Sequence, residues 1–220
     1  MKNTYAANCL FVQAVVCLSF IIALASSAAA QRGESGKNEF EIWGGVSPDS
    51  STVFKGFGRT NDARFGIVAV RYARRFNNSH SVNLKYTIDA VPAAILSDKT
   101  FLPIFVPVGT GLGIQTDRQT YYGFGVAPLG LQINFRAQKK LQPFVGGSGG
   151  LLYFNKTLQD GLGTRFNFTA DVGGGVEYHL KKGRALTFGY KYYHISNGKR
   201  GFVNPGIDNN LFYVGYSFSK

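Results

Sequence analysis

The chain has only two cysteines, Cys9 and Cys17, and both fall within its first 30 residues. A chain trimmed after residue 30 would hold no thiol. That excludes a disulfide framework, a thiolate nucleophile and a cysteine-ligated zinc. Acidic side chains are scarce as well: 12 Asp and Glu face 24 Lys and Arg, for a formal net charge of +12. Long apolar runs are confined to Leu10–Ala25. No later segment is apolar for long enough to be a transmembrane helix. Among the three histidines, His80 and His179 lie at spacings that suit no metal site.

The first 30 residues have the form of a secretory signal peptide. Lys2 gives a charged start, Leu10–Ala25 an apolar run, and Ala28-Ala29-Ala30 a small-residue cleavage site before Gln31. Val15 and Val16 precede Cys17 where lipoprotein processing needs a small residue. The expected division is therefore a leader over 1–30 and one domain over 31–220, enough chain for a single core. A strongly basic chain often partners nucleic acid. For an exported one, anionic lipid headgroups are the better match, and no nucleic acid is expected. Part of the excess is turn charge open to solvent, at Arg136, Lys139, Lys140, Lys181, Lys182 and Arg184.

After the leader the hydrophobic pattern has a period of two. In Ser79–Val91, Val82, Leu84, Tyr86, Ile88 and Ala90 alternate with Ser81, Asn83, Lys85, Thr87 and Asp89. In Arg165–Leu180, Phe166, Phe168, Ala170, Val172, Val176 and Tyr178 alternate with Asn167, Thr169, Asp171, Glu177 and His179. Similar patterns cover Asn38–Pro48, Asp62–Phe76, Gln119–Phe135, Leu141–Asn155, Ala185–Asn197 and Asp208–Ser219. Eight long strands with short and long connections in turn predict an all-β, eight-stranded antiparallel up-and-down transmembrane barrel. The long connections are Asp49–Asn61, Pro92–Arg118, Lys156–Thr164 and Gly198–Ile207. An even strand number brings both ends of the barrel chain to one side. The soluble rival is a lipocalin-like barrel with its apolar face inward. The 28 glycines, many within strands, suit close backbone approach and sheet curvature.

The end of the seventh strand carries the chemistry. His194 and Ser196 are two residues apart and so project from one face. A hairpin centred near Gly201 would set His194 about opposite Asp208. A base beside a serine, with an acid to orient it, is the arrangement that activates a hydroxyl nucleophile. All three share the parity of the outward apolar residues Phe188, Tyr190, Phe212 and Val214. Polar groups on a lipid-facing phase point to function; the alternative is that the strands already end in the headgroup layer.

The stretch His194-Ile195-Ser196-Asn197, followed by Asn204-Pro205-Gly206-Ile207-Asp208, resembles the outer-membrane lipid A 3-O-deacylases of the PagL type. Those are eight-stranded barrels with a His-x-Ser-Asn motif and a carboxylate 14 residues after the histidine. The resemblance implies Ser196 as nucleophile, His194 as base and Asp208 as orienting acid. Asn197 and Asn204, with nearby backbone N–H groups, are its candidates for oxyanion stabilisation. It also implies lipid A, or lipopolysaccharide, as the substrate in the outer leaflet of a bacterial outer membrane, with no cofactor and no metal. The family's acid is glutamate, and here it is aspartate. A non-enzymatic OmpA-type barrel and a lipid acyltransferase are the alternatives. Oligomeric state is not encoded in any of these features.

Two further motifs look chemical. Gly146-Gly147-Ser148-Gly149-Gly150 fits a nucleophile elbow, but such an elbow needs a strand-to-helix turn. Gly109-Thr110-Gly111-Leu112-Gly113 resembles a phosphate loop without the βαβ unit that loop requires.

Overall fold

The computed structural model describes residues 37–50, 62–77, 79, 81–104, 113–159, 161–204 and 206–219. The leader expected over 1–30, the first long connection from residue 51 to 61, His80 and residues 109–112 of the glycine run lie outside them.

Eight strands follow one another: β1 (Asn38–Ser47), β2 (Arg64–Arg75), β3 (Val82–Ile104), β4 (Gly113–Phe135), β5 (Leu141–Phe154), β6 (Phe166–His179), β7 (Arg184–Ser196) and β8 (Ile207–Ser219). Each pairs antiparallel with the next, and β8 pairs with β1, so the sheet is a closed barrel. Closure leaves no unpaired strand edge, which a lipid environment could not hydrate.

Side-chain alternation sets the two faces. Phe40, Val68, Phe124, Leu131, Phe188 and Val214 are exposed on the outer wall. Residues of the opposite parity, Glu41, Arg71, Lys85, Asp89 and Glu177, are buried within the barrel. This polarity is the reverse of a lipocalin-like barrel and matches that of membrane barrels.

The interior has two layers. Toward the short turns it is ionic. The Arg71 guanidinium donates to both Asp89 oxygens at 2.7 and 2.8 Å. Lys85 Nζ lies 2.7 Å from Glu39 and 3.1 Å from Glu177. Gln132 and Asn134 donate to Glu177 at 2.6 Å each. Trp43 lies between two cations, with Lys191 Nζ 4.9 Å and Arg71 Cζ 5.7 Å from its ring. Toward the long connections the interior turns apolar, with Phe65, Leu96, Tyr121, Phe154, Leu158, Tyr193, Ile195, Ile207 and Leu211 buried together. That plug lies directly behind the end of β7.

One expected connection is mostly strand. The long connection expected over Pro92–Arg118 lies largely within β3 and β4. These two strands pair from Ala94↔Gly123 out to Ile104↔Gly113. A register shift between Val91 and Ala94 absorbs Pro92 as an irregularity, after which the alternation resumes. Gly146–Gly150 is plain strand within β5, and Ser148 Oγ donates inward to Asp171, so it builds the wall. His179 pairs with Glu177 at 3.2 Å inside the barrel.

Candidate active site

The β7–β8 hairpin aligns His194 with Asp208 as direct register partners. Both face outward, and His194 Nδ1 lies 2.6 Å from Asp208 Oδ1. The imidazole is partly open, at 21 % side-chain exposure, whereas the carboxylate is closed off at 1 %. Asp208 Oδ2 is buried as well and has no hydrogen-bond partner among the described residues. The carboxylate therefore directs its bonding to the imidazole. With Nδ1–H donated to Asp208, Nε2 is the ring's basic nitrogen. The shorter acid reaches the histidine because the hairpin register sets the two side chains directly opposite one another.

Ser196 ends β7 on the same outward phase, two residues beyond His194. It is half-buried, and its Oγ accepts from the Gly198 N–H at 3.3 Å. The chain then reverses through Gly198 and Lys199, both with φ near +60°. This left-handed conformation suits glycine and strains lysine.

Asn197 is turned the other way. Its side chain is fully buried, and Nδ2 donates to Val203 O at 2.7 Å. Its backbone N–H donates to Asn204 Oδ1 at 3.0 Å. Asn197 is thus the staple of the loop, and its amide is not brought to the His194–Ser196 face. Asn204 Oδ1 holds that staple, so the NH₂ end of Asn204 is the one not committed to Asn197. The strand period, which assigns alternate residues to opposite faces, is the signal that separates Asn197 from Ser196. Among the nearby backbone N–H groups expected at the site, that of Gly198 is the one bonded to Ser196 Oγ.

The loop is seated on its neighbour. Val203 N–H donates to Leu162 O at 3.0 Å, across to the β5–β6 connection. A Cβ on Gly201 would come within 2.8 Å of the Gly163 backbone. On β6, Phe168 is the register partner of Ser196 and Ala170 that of His194. On β8, Asn210 Oδ1 accepts from Tyr190 Oη at 2.6 Å. The polar trio is therefore bounded by apolar wall on β6 and by a tyrosine-anchored amide on β8. Among the described residues no cluster of acids and histidines is arranged to hold a metal ion.

The arrangement is an imidazole bonded to a buried carboxylate, two residues along the strand from a hydroxyl on the same outward phase of a membrane barrel. Comparisons with known proteins identify the family of the barrel. A family model described as "Lipid A 3-O-deacylase (PagL)" matches residues 64–217. Among solved structures, that of the outer membrane enzyme PagL aligns with TM-score 0.53 and 16 % identity, covering 82 % of this chain and 99 % of that one. Neisserial surface protein A aligns with TM-score 0.47 and 13 % identity, over 83 % of this chain and 97 % of that one. No curated protein matches the sequence. The family match takes in seven of the eight strands and both parts of the motif. The chain belongs to the lipid A 3-O-deacylase (PagL) family, the lipid A deacylases of the outer-membrane β-barrel type.

Proposed function

We propose that the protein is a serine esterase that hydrolyses the ester-linked acyl chain at the 3-position of lipid A. Ser196 is the nucleophile, His194 the base and Asp208 the orienting acid. The observation that carries this reading is the 2.6 Å contact between His194 and a fully buried Asp208, on the lipid-facing phase and two residues from Ser196.

In the first half-reaction His194 Nε2 takes the Ser196 proton as Oγ attacks the ester carbonyl carbon. Negative charge grows on the carbonyl oxygen. In this reading the Gly198 N–H and the Asn204 NH₂ are the donors assigned to that charge. Asn197 holds the loop that carries both. The bond between the carbonyl carbon and the sugar oxygen then breaks, and His194 returns its proton to that oxygen. In the second half-reaction water adds to the acyl-serine with His194 again as base. Ser196 recovers its proton, and a fatty acid leaves, expected to be 3-hydroxylated. Asp208 stabilises the imidazolium in both halves without taking its proton. The reading includes export by the leader over 1–30 and residence in the outer membrane.

The test is mass spectrometry of lipid A incubated with the refolded protein and with its Ser196→Ala variant. The expected outcome is loss of one hydroxyacyl chain with the wild type, and a rate reduced by about 10³-fold or more with the variant. Lipid A that gains a chain would establish an acyltransferase instead. Lipid A unchanged by a folded wild type would favour a structural barrel.

A further inference from the structure

The loop that follows Ser196 carries positive charge and no acid of its own. The β7–β8 connection, residues 197–206, contains Lys199 and Arg200 and no Asp or Glu. Across from it, exposed Arg165 precedes the first residue of β6. The β5–β6 connection holds one acid, Asp160, which lies outside the described residues. Elsewhere at this end of the barrel Lys99 and Arg118 are engaged. Lys99 pairs with Asp62, and Arg118 donates to the carbonyl oxygens of Asp62 and Ser97.

Arg200 is different. Its guanidinium lies 4.8 Å from the centre of the Phe168 ring and 5.9 Å from that of Phe166. Among the described residues no carboxylate lies within ion-pair range of it. Stacking on a ring fixes the plane of a guanidinium but leaves its N–H edges available. Such a pre-oriented fork matches the oxygens of a phosphate. Position completes the argument. Phe168 is the cross-strand partner of Ser196, and side chains so paired stand about 5 Å apart. Arg200 therefore sits roughly 10 Å from the nucleophile, along the outer wall. A sugar that carries both an ester and a phosphate spans that interval.

We infer that Arg200 is a specificity-determining residue that binds a phosphate of the glycolipid and so presents the neighbouring ester to Ser196. The inference rests on the deacylase reading, but its binding test does not require turnover. In a Ser196→Ala background, the refolded full barrel is titrated with bisphosphorylated lipid A and with the same lipid after dephosphorylation. Folding of each variant is checked by heat-modifiable electrophoretic mobility. Arg200→Ala is expected to lose about 10-fold in affinity for the phosphorylated lipid and far less for the dephosphorylated one, with Arg200→Lys intermediate. With Ser196 intact, Arg200→Ala should raise KM for phosphorylated lipid A more than it lowers kcat. Equal losses for both lipids would make Arg200 a structural tie to Phe168 and overturn the proposal, as would no loss for either. A wild type that binds lipid A through Arg200 but never cleaves it would overturn the deacylase reading and leave the phosphate site standing.

Discussion

Asp208 is the buried residue on which the proposed base depends. Its Oδ1 is committed to His194 and its Oδ2 has no partner among the described residues. Replacement by asparagine keeps the volume but removes the charge that stabilises the imidazolium, and it admits the wrong histidine tautomer. Asp208→Asn is expected to lower kcat by roughly 10³- to 10⁴-fold, by analogy with the same change in serine protease triads. The measurement is the initial rate of fatty-acid release from lipid A. Asp208→Glu restores the family's usual acid but adds a methylene at a site with no free surface. Activity there should fall rather than rise, because the added group overpacks the strand end.

The β7–β8 hairpin is the element that assembles the site, and its loop leans on the β5–β6 connection. Gly201 has no room for a side chain against Gly163. Gly201→Val should therefore unseat Asn197, Gly198 and Asn204 together. Turnover is expected to fall by at least 10-fold while the heat-modifiable barrel persists, as read by paired activity and gel-mobility assays. At this scale the sequence was legible where one period ran unbroken. The outward parity of His194, Ser196 and Asp208 followed from strict alternation in β7 and β8, and the opposition of His194 and Asp208 from a hairpin centred near Gly201. The extension of β3 and β4 was hidden because Pro92 breaks the pattern, and a bulge is invisible to a simple count of twos. Asn197 was grouped with Ser196 by motif, although the period already placed it on the opposite face. The Gly198 and Arg200 contacts depend on loop geometry, which alternation does not encode.

Taken whole, the molecule inverts the usual layering of a soluble protein: apolar groups outside, ions within. Arg71, Asp89 and Glu41 connect through Gln132 to Glu177, Lys85, Glu39 and Asn134 in a single buried network. Removing one member leaves a buried charge without compensation. Arg71→Met should destabilise the barrel by about 3–5 kcal/mol, and pairing it with Asp89→Leu should recover much of the loss. Urea unfolding in detergent micelles, followed by tryptophan fluorescence from Trp43, checks both. The apolar plug behind β7 has a different outcome. Among the described residues it fills the interior behind the candidate site, and Ser196 faces the outer wall instead of the lumen. A reactive group on the outside of a filled cylinder meets its substrate only by lateral drift within the leaflet. Its effective substrate concentration is then a surface density. Diluting lipid A with inert lipid at constant bulk amount slows the reaction, while adding water at constant lipid composition does not.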